Sequence, residues 1–213
     1  MKADDLVASL STRIEPVSHR LVSWTMGIAF LAAALVALGL VLVGPGIRAD
    51  LMTPRALTFL VLKLAFAVGA VGVSSIYLVR LARPGGERRT SSIRIMMPFA
   101  AIVLLAAISL GLAPTSHWDD MVMGDQWLEC LLSIPIIAIV PFAIIVAGTR
   151  KAAPTNLERT GAFAGRVAGG VSAVAYALHC TDDSLPFIAV WYGGTILLCT
   201  FAGAALGPRL LRW

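Results

Sequence analysis

The sequence predicts an all-α fold: a polytopic membrane protein, a six-transmembrane-helix bundle preceded by a short cytoplasmic N-terminal amphipathic helix. Three observations predict it. Hydrophobic residues make up 58% of the 213 and charged residues 14%, whereas a soluble domain carries about 25% charged residues. Mean hydropathy is +0.86. The apolar residues also fall into six runs, at about 22–44, 56–79, 95–113, 129–148, 160–178 and 185–207, each near the roughly 20 residues that cross a bilayer. Residues 22–213 are therefore read as one six-span domain, with no room for a soluble domain of useful size. The net charge of +5 lies between the runs. That is the pattern of membrane topology, not of a groove that binds nucleic acid directly.

Residues 1–21 form the first unit. Asp4 and Asp5 suit a helix start, where free N–H groups and the positive dipole end favour acids. Leu6, Val7, Leu10, Ile14 and Val17 follow near helical spacing, and Pro16 ends or bends the helix. The apolar stripe admits two readings: a helix lying in the headgroups, or one that docks into the groove of a soluble partner. Headgroup helices are usually rich in Lys and Arg, and this one is not. The first apolar run is too long for a signal-peptide core, so it is expected to stay as a span.

The connectors carry breaker chemistry: Gly44-Pro45-Gly46, Pro84-Gly85-Gly86, Ala113-Pro114-Thr115, Ala153-Pro154 and Gly207-Pro208. Their charges orient the chain. One side collects Lys2, Arg13, Arg20, Arg80, Arg83, Arg88, Arg89, Arg94, Arg150, Lys151, Arg159, Arg209 and Arg212; the other has Arg48 and Arg55. Thirteen against two places both termini in the cytoplasm by the positive-inside rule. Asp50, Asp119, Asp120, Asp125, Glu129, Asp182 and Asp183 then share the outer face.

Two cations fall inside spans, where charge is costly. Arg166 is about two turns from the cytoplasmic end and is expected to snorkel there. Lys63 is expected either to pair with Glu129, Asp182 or Asp183 or to snorkel outward. Glycine patches at Gly69 to Gly72, Gly161 to Gly170 and Gly193-Gly194 read as close helix packing, with Gly165 and Gly169 at small-xxx-small spacing. Pro135, Pro141 and Pro186 are candidate kinks near the cysteines.

Chemistry concentrates in His179-Cys180-Thr181-Asp182-Asp183-Ser184, a polar loop between two apolar runs, and at Glu129-Cys130. Cys199 lies deep in the last run and reads as a small apolar residue. Cys130 and Cys180 share one membrane face and leave three readings open: inert structural thiols, a structural disulfide permitted by an oxidising compartment, or a sensor that meets oxidant or metal. Neighbouring acids raise a thiol pKa, while a protonated His179 would lower it. Cys130, Cys180 and His179 would suit copper(I) or zinc as a soft site; no cofactor is required, and no C-x-x-C spacing supports one. Catalysis has no constellation to rest on: no Ser/His/Asp set, no phosphate loop, no dinucleotide motif. The chain is therefore not read as an enzyme. A small transporter or metal-handling membrane protein is the alternative, though every Asp and Glu lies outside the spans, where a transporter would place polar groups at midplane.

Three stretches carry a family resemblance. The opening Met1-Lys2-Ala3-Asp4-Asp5-Leu6-Val7-Ala8-Ser9-Leu10, the motif Glu129-Cys130-Leu131, and His179 to Ser184 running into Phe187-Ile188-Ala189-Val190-Trp191-Tyr192 resemble the NrsF family of polytopic anti-sigma factors. Those proteins restrain extracytoplasmic-function sigma factors in proteobacteria. The likeness spans the full length, although Thr181 stands where many relatives have proline. It implies a multi-pass protein of the bacterial inner membrane that holds a sigma factor at the cytoplasmic face. Asp4, Asp5, Leu6, Val7, Leu10 and Ile14 would bind that partner. Cys130 and Cys180 would sense oxidant or metal from the periplasm, as part of an envelope stress response, with His179, Glu129, Asp182 and Asp183 tuning them.

Overall fold

The computed structural model describes residues 19–82, 92–152 and 154–212. The partner-binding stripe expected at Asp4, Asp5, Leu6, Val7, Leu10 and Ile14 lies outside the described residues. Among those described the fold is all-helical, with no strand.

The first helix, α1, runs His19–Val43. It stops where Gly46 takes a positive φ of 79° and its N–H donates to the Val41 carbonyl at 2.8 Å, a left-handed termination that glycine adopts without steric cost. Helix α2, Pro54–Leu81, begins with proline in its first turn behind an N-cap, Thr53, whose hydroxyl accepts the Ala56 N–H at 3.3 Å. Helix α3 is Ser92–Leu112. A 3-10 turn, Thr115–His117, leads into the short α4, Trp118–Met123, within a stretch that reads in the sequence as plain connector. Helix α5, Trp127–Arg150, contains Pro135 and Pro141, and α3 contains Pro98.

Helix α6, Leu157–Tyr176, is capped by the Asn156 side chain, which accepts the Arg159 N–H at 3.0 Å. The last apolar run is broken locally. Ser184 caps a single turn, α7 (Leu185–Phe187), which passes through a π turn, Ile188–Tyr192, into α8, Gly193–Leu210. Such π turns recur at functional sites, and this one carries Trp191 and Tyr192 to the cysteine loop.

Among the described residues five segments are long and apolar enough to cross a membrane: Val22–Val43, Pro54–Leu81, Ile93–Leu112, Thr115–Arg150 and Leu185–Leu210. Their outward faces expose Leu31, Leu35, Val61, Leu104, Ile136, Ile139 and Phe201, as suits an apolar solvent rather than water. Helix α6 is the least apolar of the long helices because its surroundings differ. It packs against α1, α2, α5 and α8 together, and most of its residues are buried. A helix enclosed by protein needs small residues more than lipophilic ones. A Cβ on Gly161 would strike the Gly203 carbonyl, one on Gly165 the Cys199 carbonyl, and one on Gly203 the Gly161 carbonyl. The close approach expected at Gly165 therefore has its counterpart at Cys199 and Gly203 of α8.

Arg166 departs from its expected course. Its guanidinium does not reach water: the residue is 4% exposed. Nη2 donates to the Ile95 carbonyl in the first turn of α3, and the cation lies over the Phe99 ring at 4.4 Å. The side chain leans toward the helix start, as helical side chains do, and α3 intercepts it.

Candidate functional site

The site is built where the loop after α6 meets two other connections. Helix α6 ends at Tyr176, whose carbonyl accepts the backbone N–H groups of His179 and Cys180 at 2.9 and 3.1 Å. The loop between α1 and α2 lies alongside: Arg48 N–H donates to the Leu178 carbonyl at 3.1 Å, and His179 Nδ1 lies 3.1 Å from the Gly46 carbonyl oxygen. A carbonyl can only accept, so Nδ1 carries the proton in this contact.

Beneath the loop lies a buried ionic network. Arg48 donates to both Asp183 oxygens, at 2.9 and 3.0 Å, and to both Asp50 oxygens, each at 2.7 Å. Its Nη1 also reaches the Cys180 carbonyl at 3.1 Å. Lys63, 0% exposed, donates from α2 to the same carbonyl at 2.9 Å and to Asp183 at 3.3 Å. The ammonium also sits 5.9 Å from the Tyr192 ring centroid. Of the two outcomes open for Lys63, pairing is the one observed, and Asp183 is the partner. The Asp50 side chain is 51% exposed, at the wet edge. Arg48 holds the Asp50 carboxyl below its ordinary range, and the hydrogen bonds it donates to Asp50 and then Asp183 push the Arg48 guanidinium up.

Asp182, next in sequence, faces the other way. Its carboxylate accepts the N–H groups of Asp125 and Gln126 at 3.1 and 2.8 Å, at the entry to α5. Gln126 answers: its side-chain oxygen accepts the Thr181 N–H at 3.1 Å, and its carbonyl accepts the Cys130 N–H at 2.9 Å. Gln126 thus bonds next to both cysteines. Ser184 donates to the Met121 carbonyl and Trp191 Nε1 to the Val122 carbonyl, fastening α4 to the same loop. Gly124 makes this approach possible. It has φ +57°, and a Cβ there would meet Asp182 Cγ at 2.7 Å and Phe187 Cδ2 at 2.8 Å.

The outcome is that Cys130 and Cys180, from α5 and the loop after α6, are both fully buried free thiols within Coulombic reach of one another. Burial pushes the Cys180 thiol up, opposed by the charge of Lys63 and by Tyr192. The Tyr192 hydroxyl lies against that thiol but makes no hydrogen bond of ordinary geometry, and neither does the buried Tyr176 hydroxyl. An open polar cup of about 460 Å³ lies above, lined by Arg48, Arg55, His117, Asp120, Asp182 and Asp183 among others.

A profile for negative regulators of sigma F, the NrsF family, matches residues 10–213. The chain belongs to the NrsF family. A probable anti-sigma-F factor NrsF from Azospira oryzae is 30% identical over 213 residues, covering all of both chains. The anti-sigma-F factor NrsF of Caulobacter vibrioides is 29% identical over 219 residues, again covering both in full. No solved structure matches the chain. Membership in NrsF points to regulation rather than catalysis.

In this NrsF chain the other expected site residues are dispersed. Glu129 is exposed in the first turn of α5. His179 is engaged with Gly46 and packs on Tyr176, ring centroids 5.5 Å apart. Among the described residues no group of three or more His, Cys, Asp or Glu side chains is gathered as a metal-ligand set. Cys130, Cys180 and His179 do not fit a three-ligand copper or zinc centre in this arrangement. Cys199 sits against Gly169 in the α6–α8 contact, in the packing role expected for it. Sequence reasoning missed Arg48, Gln126, Gly124, Tyr176 and Tyr192. Arg48 read only as a topology charge, Gln126 and Gly124 meet partners in the distant loop that holds Thr181 and Asp182, and Tyr176 and Tyr192 come together only where the chain folds back around Cys180.

Proposed function

We propose that the chain is a six-span anti-sigma factor of the bacterial inner membrane with both termini in the cytoplasm. Its N-terminal segment, through Asp4, Asp5, Leu6, Val7, Leu10 and Ile14, holds an extracytoplasmic-function sigma factor away from RNA polymerase. A change of state at Cys130 and Cys180 on the periplasmic side releases it. The observation that carries this reading is the pair of buried free thiols whose segments are tied together through Gln126 and Asp182, in a chain whose family restrains sigma F.

The pair can exist bridged or unbridged, and each state favours its own arrangement of loop and helices. A shift from mostly bound to mostly free partner needs about 5 kcal/mol of differential affinity, and forming or breaking a disulfide changes stability by about 2–4 kcal/mol. The magnitudes are comparable. Oxidant is taken as the stimulus, because two thiols suffice for a disulfide and, among the described residues, no group of three or more His, Cys, Asp or Glu side chains is gathered beside them. In that step the two thiols lose two electrons and two protons to the oxidant as the S–S bond forms.

The test uses full-length chain co-expressed with the sigma factor in membranes. Removing residues 1–15 is expected to abolish co-purification of the sigma factor while leaving membrane insertion intact; retained binding rejects the docking assignment. The thiol oxidant diamide is expected to release the sigma factor from the native chain and not from one carrying Cys130→Ser and Cys180→Ser. Equal release from both removes the thiols from the mechanism.

A further inference from the structure

The outer cysteine loop and the inner end of α3 lie at opposite ends of the bundle, yet a series of side chains runs between them. Lys63 grips the Cys180 carbonyl and Asp183 at the outer end of α2. One turn further along the same face of α2 is Phe66, whose ring meets Phe99 of α3 edge-on, centroids 5.3 Å apart. Gly193, directly after the π turn that presents Tyr192 to Cys180, lies against both rings. On the far side of Phe99 lies the Arg166 guanidinium, 4.4 Å from the ring centroid. Arg166 in turn holds the Ile95 carbonyl, one turn before Phe99 and close to the start of α3.

The last link is poised to change. Arg166 is 4% exposed, and its Nε is buried with no hydrogen-bond partner. No carboxylate pairs with it among the described residues. One carbonyl and one ring are thin compensation for a buried guanidinium. A buried polar atom without a partner marks a place where a second arrangement competes. Energetic coupling between distant sites needs packed groups with discrete alternatives, and both ends of this series supply them: a loop held by ionic contacts and an under-satisfied cation.

We propose that Lys63, Phe66, Phe99 and Arg166 form the relay that couples the Cys180 loop to the inner end of α3, with Phe99 and Arg166 as positioning residues for partner release. The proposal rests on the transmembrane-switch reading above, but its test needs neither the stimulus nor the sigma factor.

A chain with Cys130→Ala, Cys180→Ala and Cys199→Ala keeps the residue-180 carbonyl that Lys63 and Arg48 hold. A reporter thiol is placed by Ile93→Cys, at an exposed position in the first turn of α3, and its labelling by a fluorescent maleimide is timed in permeabilised membranes. Asp183→Asn, which strips the outer network of its shared carboxylate, is expected to change the labelling rate about 2- to 30-fold, the span of typical long-range couplings. Adding Phe99→Leu should bring the ratio between the Asp183 and Asn forms close to one. Phe99→Tyr, which keeps the ring, should restore it, an outcome that a merely structural role would not give. Arg166→Lys, which keeps the charge but loses the flat stacked guanidinium, should also collapse the ratio, and it serves if Phe99→Leu fails to fold. A ratio that survives both changes, or no response to Asp183→Asn in the first place, overturns the relay. Diamide-driven release of the sigma factor, measured separately, decides the switch reading independently.

Discussion

Lys63 Nζ and the Cys180 carbonyl oxygen, 117 residues apart in sequence, lie 2.9 Å from one another inside the bundle. The contact fixes the backbone of a cysteine without touching its sulfur, so loop geometry and thiol chemistry are separable by mutation. Asp183, which Lys63 shares with Arg48, is the hub of the network.

Asp183→Ala would leave the buried Lys63 without a carboxylate and Arg48 with Asp50 alone. Removing one partner of a buried pair costs about 3–5 kcal/mol, and a loss of that order is expected. Lys63→Met should cost less, because Arg48 still holds both Asp183 oxygens and the Cys180 carbonyl. Thermal unfolding in detergent should rank the variants in that order. The reverse order would place the centre of the network on Lys63.

Gly124→Ala should also be destabilising, for a different reason. At φ +57° with ψ −175°, the backbone occupies a region kept almost wholly for glycine, and a side chain there costs about 1–3 kcal/mol. The added Cβ would also displace the Asp182 carboxylate from the Asp125 and Gln126 N–H groups. Besides a lower Tm, the variant is expected to label faster at Cys130 and Cys180, since their enclosure depends on that seam. A lower Tm with unchanged labelling would detach the seam from the thiols.

How much of this was legible in the sequence follows from the range of each interaction. The long helices could be placed within a few residues because a span is a local property of twenty consecutive side chains. The surroundings of α6 could not, since its glycines matter through distant neighbours: Cys199, Gly203 and Gly207 on α8 and Val71 on α2. Within the site, the loop from His179 to Ser184 stood out by composition, yet Asp182 and Asp183 read as equivalent. One caps the entry to α5 and the other anchors buried cations. The turn of the backbone between them makes that difference, and no local pattern encodes it. Arg48 was invisible for the same reason: its partner Asp183 lies 135 residues away.

Close packing between α6 and α8 predicts intolerance at Gly165. A leucine there would collide with the Cys199 carbonyl and the Gly203 backbone, which cannot yield as a flexible side chain would. Overpacking of this kind costs typically 1–3 kcal/mol and often more against backbone. Gly165→Leu is expected to lower thermal stability far more than Gly72→Leu, where a Cβ meets nothing within 4 Å. Similar losses at both positions would argue against the α6–α8 contact.

The charged groups outside the spans set the pH dependence. Asp50 is held below its ordinary range by Arg48, so its contribution is present above the unfolded value of about 4 and is lost as pH falls through the folded value. Cys180 runs the opposite way. Burial raises its folded pKa, so its contribution is whole below the unfolded thiol value of about 8.5 and is lost as pH rises through the folded one. Stability should therefore fall at both ends of the range. Asp50→Asn should flatten the acid limb, and Cys180→Ala should flatten the part of the alkaline limb that begins near pH 8.5. Tm followed against pH for the native chain and both variants checks the signs. An alkaline limb unchanged by Cys180→Ala would mean that the thiol ionises as readily in the folded protein as in the unfolded one, and that the enclosure around it is open to water.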